Sequence, residues 1–366
     1  MKTNTITVTT PEGSSYEIVQ TDSYDSLPAS LAPIAAKKDK IGIVADDHTA
    51  PLYGQAVREK LAALGFEADI LVLPSGEAHK TLESISLIYD FMVERHFTRK
   101  SLLGSLGGGV LGDMTGFATA TYMRGMSFVQ LPTTLLSQVD ASIGGKTGVD
   151  YKGFKNMVGA FHMPELVYIN LSTLASLPER EIRSGMAEII KAGLIRDRSL
   201  YLYLRENVME IRSLDMEFLP KAVLSAIRMK QAVVEADPYE KADRMLLNYG
   251  HTVGHAVEKA LNFTMTHGEC VSLGMSAALM IGYLRGYLEE DEVVDTIDLL
   301  VSYGLPVRLP VGCPLTTEEI LLNLKSDKKM MQGQIRFILL SAIGQAFVAE
   351  DVTDAELIEG ISALLQ

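Results

Sequence analysis

The chain has no tryptophan and only two cysteines, Cys270 and Cys313, in 366 residues. They lie far apart and in no CxxC arrangement, which speaks against a disulfide framework and a cysteine-ligated zinc site, and fits a reducing cytoplasm. Basic residues are outnumbered 33 to 46, for a net charge of −13, so a duplex nucleic acid that must be gripped electrostatically is not an expected partner. A small anion is still compatible, because a few local cations outweigh the global field. No apolar run reaches the roughly 20 residues that span a bilayer; Val271 to Leu284 is broken by Ser272 and two glycines. The first ten residues are polar and threonine-rich and lack the apolar centre of a signal peptide, so no membrane association is expected. With 47% hydrophobic and 22% charged residues, no internal repeat and no low-complexity tract, the composition is that of a globular protein.

The length predicts two domains, 1–177 and 178–366, packed closely enough to share a cleft. In the first, short apolar runs recur at Ile41 to Ala45, Ile70 to Leu73, Leu102 to Leu106, Phe128 to Leu131 and Leu166 to Ile169. Helix-like stretches, Leu52 to Leu64 and Leu82 to His96, lie between several of them, which predicts an α/β domain with a mainly parallel sheet. Thr5 to Thr9 and Tyr16 to Gln20 flank Pro11-Glu12-Gly13 and read as a hairpin at the sheet edge. Beyond Leu177-Pro178 the period becomes helical, over Arg180 to Ile195, Leu219 to Ala236, Met245 to Leu261 and Val271 to Leu284, so the second domain is expected to be mainly α. A late hairpin is expected around Ile343-Gly344-Gln345.

Gly107, Gly109 and Gly112 satisfy GxGxxG directly after a buried strand, a pattern that serves either a pyrophosphate at a helix N-terminus or a tight turn. The acid a Rossmann fingerprint places about 20 residues further on is missing; Asp46, after the first parallel strand, is the substitute if that strand lies beside the glycine turn, and otherwise a turn or N-cap residue. His251 and His255 share a helical face without the glutamate of HExxH, and are either metal ligands or capping and packing histidines. Glu188 and Lys191 lie three apart in an apolar helix, either as a surface ion pair or, with two histidines, as part of an open three-ligand metal site. Gly144-Gly145-Lys146-Thr147-Gly148 and Lys155-Asn156 suit a phosphate or carboxylate, but the P-loop spacing fails.

Together these segments, with Pro132 to Asp140, Asn248 to His255, His267-Gly268-Glu269 and Asp327-Lys328-Lys329, resemble the 3-dehydroquinate synthases, sugar phosphate cyclases of the shikimate pathway, through nearly the whole chain. The resemblance implies a homodimer with an NAD-binding α/β domain and a helical domain holding zinc or cobalt. It implies Glu188, His251 and His267 as metal ligands. It places Asp46, Glu77, Lys80, Gly108, Gly109, Val110, Asp113, Thr133, Thr134, Lys146 and Lys155 at the NAD. It sets Arg124, Asp140, Lys146, Asn156, Lys191, Lys230, Arg244, Asn248, His255 and Lys328 around the sugar phosphate, with His255 as proton shuttle. The implied reaction turns 3-deoxy-D-arabino-heptulosonate 7-phosphate into 3-dehydroquinate and phosphate through transient oxidation, phosphate loss, re-reduction and an intramolecular aldol closure; an inosose or valiolone synthase is the alternative. The chain departs from the family pattern at His48, Ala192 and Lys152-Gly153-Phe154.

Overall fold

A computed structural model describes residues 3–11, 13–240, 243–262, 264–331 and 336–365, with the backbone alone at 326–331. It divides into two compact units, one of residues 1–177 with Val234–Tyr239, the other of Pro178–Val233 with Glu240–Gln366.

The first unit contains β1 (Asn4–Thr9), β2 (Ser15–Thr21), α1 (Leu27–Ala35), β3 (Ile41–Asp46), α2 (Gln55–Ala62), β4 (Asp69–Leu73), α3 (Leu82–Glu94), β5 (Leu102–Gly107), α4 (Gly109–Thr121), β6 (Ser127–Pro132), β7 (Lys146–Tyr151), β8 (Phe154–Phe161) and β9 (Leu166–Asn170). Seven strands form one sheet in the order β1-β2-β9-β6-β5-β3-β4, parallel except for the β1–β2 hairpin. Alternation along β3 explains the layering: Ile41, Ile43 and Ala45 pack with residues of α1 and α2, while Val44 packs with residues of α3 and α4. Parallel pairing brings the carboxyl ends of β3, β5 and β6 to one edge, where Asp46, Gly107 and Pro132 lie.

The hairpin of β7 and β8, read from sequence as glycine-rich turns, is a separate two-stranded ladder with a register shift between Val149 and Tyr151. Its outward positions are polar or exposed, so no apolar run announces it.

The second unit contains α5 (Glu179–Ile195), α6 (Arg198–Glu206), α7 (Val208–Arg212), α8 (Leu219–Ala236), whose last residues belong to the first unit, α9 (His251–Ala260), α10 (His267–Leu284), α11 (Glu290–Ser302), α12 (Thr317–Met331), β10 (Phe337–Ala342), β11 (Gln345–Ala349) and α13 (Asp354–Ser362). Two expected helices differ. The stretch Met245 to Leu261 is not continuous: a 3-10 turn over Asp243–Asn248 ends where Gly250 takes φ +78, and only then does α9 begin. Helix α10 starts four residues earlier than its apolar run, because Thr266 and Glu269 form a capping box that ends the preceding loop.

The far end of α10 is anchored by Arg285, which donates to both carboxylate oxygens of Glu356 (2.7 and 3.0 Å) at the start of α13 and to Asp351 (2.8 Å). The Arg285 hydrogen bonds bring the Glu356 carboxyl from 4.5 down to about 2. A carboxyl lowered in the folded state stabilises fully above its unfolded pKa, and the gain is lost as pH falls through the folded one. Arg285→Gln is therefore expected to lower the thermal midpoint at pH 7 by roughly 2–4 °C, about 1 kcal/mol for a partly exposed pair. That difference should shrink between pH 4.5 and 2, which thermal melts across the range check.

Candidate active site

In the first unit, β5 is buried along its whole length and ends at Gly107, whose carbonyl accepts the Thr133 N–H at 3.0 Å. Helix α4 follows with Gly108 before it, so no side chain caps its first turn and no acid lies there. Uncapped N–H groups and the positive end of the helix dipole suit an anion. The glycines are also closely packed. A Cβ on Gly107 would lie 2.7 Å from Leu111 Cδ2, on Gly109 2.9 Å from Ala141 Cβ, and on Gly112 2.6 Å from Gln130 Oε1. This packing fits the tight-turn reading.

Strand β3 does lie beside β5, and Asp46 Oδ2 is 3.0 Å from where a Cβ on Gly107 would be. Its Oδ1 is also the turn acceptor, taking the Thr49 N–H (2.7 Å), the Thr49 hydroxyl (2.8 Å) and the His48 N–H (3.1 Å). Thr134 Oγ1 accepts the Ser137 N–H at 3.2 Å, and Val110 is half-buried in the first turn of α4. Glycine backbone, uncapped amides and a flanking carboxylate together fit a dinucleotide.

Lys80 is buried and donates to Asp113 Oδ2 (2.7 Å) and Asn156 Oδ1 (2.5 Å). Burial would lower its pKa, but the charges of Asp113 and Glu77 outweigh it and raise the ammonium above its ordinary value. Lys155 pairs with Glu77 at 3.2 Å. Arg124 is exposed on a short turn with φ +68, Asp140 lies in the turn Ser137–Ala141, and Lys146 opens β7 exposed.

In the second unit three helices bring Glu188 (α5), His251 and His255 (α9) and His267 (α10) together. Glu188 and Lys191 are 4% and 2% exposed, so their ion pair is in the core and the surface reading falls. Glu188 Oε1 lies 3.1 Å from His267 Nε2 and 3.7 Å from His251 Nε2. One ligand nitrogen from each of His251, His255 and His267 lies within 4.8 Å of the others. His255 is exposed, its ring centre 5.2 Å from that of His251.

The electrostatics of this cluster call for a cation. Burial, then the charges of Lys191, His267 and His255, hold His251 well below its usual pKa, so it is neutral. Its Nδ1 is bonded to the Tyr249 carbonyl at 3.1 Å, and a carbonyl only accepts, so Nδ1 carries the proton and Nε2 a lone pair. That lone pair faces a carboxylate oxygen. Burial alone would raise the Glu188 carboxyl, but Lys191 and His267 outweigh it and keep it ionised, below the usual range. Two acceptors 3.7 Å apart repel unless a cation lies between them, and ligands about 2.0–2.1 Å from a tetrahedral zinc stand about 3.3 Å from one another.

Glycines hold the three helices at this distance. A Cβ on Gly268 would lie 2.2 Å from the Ser184 carbonyl oxygen, one turn before Glu188; one on Gly274 would lie 1.7 Å from the Gly250 carbonyl oxygen, beside His251. The Gly268 N–H also donates to Ser184 Oγ at 3.0 Å, and Arg180 grips Glu269 through both carboxylate oxygens (3.0 and 2.7 Å). Sequence reading missed Ser184 and Gly268 as positioning residues, although a glycine between His267 and Glu269 at a helix start is a packing signal. Of the remaining expected residues, Lys230 and Arg244 are buried, Asn248 Nδ2 donates to Glu240 Oε1 at 2.9 Å, and the Lys328 side chain lies outside the described residues.

A glycine turn at the carboxyl edge of a parallel sheet and a helical Glu/His cluster go with the fold of the sugar phosphate cyclases. A probable glycerol dehydrogenase from Sinorhizobium meliloti shares the fold alone, with TM-score 0.63 at 15% identity over 95% of both chains. The 2-epi-5-epi-valiolone synthase of Streptomyces hygroscopicus, solved with NAD+ and Zn2+ bound, matches with TM-score 0.88 at 29% identity over 98% of both chains. Family models for the N-terminal and C-terminal parts of 3-dehydroquinate synthase match residues 70–184 and 185–330. The 3-dehydroquinate synthase of Synechocystis sp. is 45% identical over 327 residues, 88% of this chain and 90% of that protein; that of Desulforamulus reducens is 41% identical over 324, again 88% and 90%. The chain belongs to the 3-dehydroquinate synthase family.

Proposed function

We propose that this chain is a 3-dehydroquinate synthase, a carbon–oxygen lyase that converts 3-deoxy-D-arabino-heptulosonate 7-phosphate into 3-dehydroquinate and phosphate, using NAD and a zinc or cobalt ion, as a cytoplasmic homodimer. The observation that carries the reading is the Glu188–His251–His267 cluster around a buried carboxylate, in a chain 45% identical to one such synthase.

In this reading Glu188, His251 and His267 hold the metal, which when bound supplies a Lewis acid for the substrate oxygens. Asp46, Glu77, Lys80, Gly108, Gly109, Val110, Asp113, Thr133, Thr134, Lys146 and Lys155 would hold NAD, which would supply a reversible hydride acceptor. The chain's own residues bind and move protons. Lys146, Asn156, Lys191, His255 and Lys328 hold the phosphate, four of them as potential cations in glycine-rich or helical settings. Arg124, Asp140, Lys230, Arg244 and Asn248 orient the remaining oxygens. His255, exposed and of the residue type that titrates near neutrality, carries the proton to and from bulk water.

The test is phosphate release from the heptulosonate phosphate with substoichiometric NAD and zinc, followed with absorbance at 340 nm. Chelator-sensitive phosphate release with no net NADH is expected. Stoichiometric NADH would indicate a polyol dehydrogenase. Phosphate release from a heptulose or hexose phosphate instead would indicate a valiolone or inosose synthase.

A further inference from the structure

The β7–β8 hairpin carries a charged residue that the reading above leaves without a task. Asp150 falls at the register shift between Val149 and Tyr151 and so is out of the ladder. Its backbone N–H donates to the Lys80 carbonyl (2.9 Å), and its Oδ1 accepts the backbone N–H of Asn156 (2.8 Å). Asn156 is exposed and has φ +54, a left-handed conformation that a non-glycine residue keeps only when its surroundings fix it. Its side chain is fixed from the same side. Lys80 Nζ has donors and no acceptor, so the contact at 2.5 Å can be made only by Oδ1. The carboxamide therefore turns its nitrogen, with two N–H donors, away from the lysine.

We propose that Asp150 is a positioning residue for anion binding: with Lys80 it fixes both the backbone and the side-chain amide of Asn156, so that the Asn156 Nδ2 hydrogens are held ready for a phosphate. The proposal rests on the assignment of Asn156 to the phosphate. A free asparagine amide in water rotates and must be ordered on binding, whereas this one is ordered beforehand, and pre-organisation appears as affinity.

The test compares Asp150→Ala with Asp150→Asn, which keeps an oxygen to accept the Asn156 N–H. Inorganic phosphate is titrated calorimetrically into the metal-loaded protein, NAD affinity is measured separately, and the Asn156 side-chain amide signals are followed in 15N-asparagine-labelled protein. Asp150→Ala should weaken phosphate about tenfold, the 1.4 kcal/mol of roughly one hydrogen bond to a charged group, and raise KM for the sugar phosphate similarly with kcat within about threefold. NAD affinity should change less than about twofold, and Asp150→Asn should restore phosphate binding to within about threefold. Asp150→Ser, too short to reach the Asn156 N–H, carries the same expectation if the alanine variant does not fold. Phosphate affinity unchanged in Asp150→Ala, an equal loss of NAD affinity, or an asparagine variant as impaired as the alanine one would overturn the proposal. A wild type that binds phosphate through the Asn156 amide but does not turn over the heptulosonate phosphate would remove the functional reading and leave Asp150 in its role.

Discussion

Glu188→Gln is expected to lower zinc affinity by about 10³-fold or more and to abolish phosphate release. Two effects add. The variant removes one of the three proposed ligands, and it leaves the Lys191 ammonium, only 2% exposed, without its counter-charge in the core. An uncompensated buried charge costs about 3–5 kcal/mol, so a loss of stability in the metal-free protein is expected as well. The double variant Glu188→Gln/Lys191→Met separates them: it should recover most of the stability and none of the zinc affinity. Zinc content, competition with a chromogenic chelator and thermal melts of the metal-free proteins check this. Wild-type zinc affinity in either variant would remove Glu188 from the metal.

The second large effect belongs to a residue with no functional group. A Cβ on Gly274 would meet three backbone atoms, the Gly250 carbonyl oxygen at 1.7 Å, its carbon at 2.6 Å and the Gly254 nitrogen at 2.9 Å. Backbone cannot turn aside as a side chain does, so in Gly274→Ala helices α9 and α10 must separate. The expected loss is about 3 kcal/mol or more, roughly 6–12 °C in thermal midpoint for a unit of this size. Because α9 carries His251 and α10 carries His267, zinc affinity should fall about 10- to 100-fold. Gly282→Ala is the control on the same helix: its Cβ would approach Leu288 Cδ1 at 3.2 Å, a side chain that can shift, with the nearest backbone atom, the Leu340 carbonyl oxygen, at 4.0 Å, and less than about 1 kcal/mol is expected. Equal melting behaviour of the two variants would show that the close crossing is not what fixes the cluster.

Elements with one dominant signal were legible in the sequence. The strands β3, β5, β6 and β9 are buried on both faces and read as short, mostly apolar runs, and the β1–β2 hairpin announces itself by alternation around Pro11. The glycine turn was legible as a strand running into a helix, though not how closely its glycines are packed. The β7–β8 hairpin was illegible because β8 alternates between half-buried and exposed positions and its lysines and glycines imitate a loop. The break at Gly250 was hidden because apolar residues keep their helical spacing on both sides of it, and the close neighbour of that glycine, the Val271 carbonyl oxygen 2.7 Å from where a Cβ would be, is on α10 rather than nearby in sequence. In the candidate metal site, the residue types and the His251/His255 pair were readable, whereas the approach of Glu188 to His267, 79 positions away, depends on Gly268 resting on Ser184.

In the proposed metal site, the spread of Glu188, His251 and His267 over three helices dictates when an ion enters during biosynthesis. A nascent chain that has completed only α5 offers one carboxylate, and one that has reached α9 lacks the third donor until α10 has docked. The ion thus selects chains whose helical core has already assembled, and by mass action it withdraws them from the pool open to proteolysis: at a free concentration 100 times its dissociation constant it adds about 2.7 kcal/mol. Metal starvation should consequently show first as a shorter lifetime of the polypeptide, ahead of any change in its rate of synthesis.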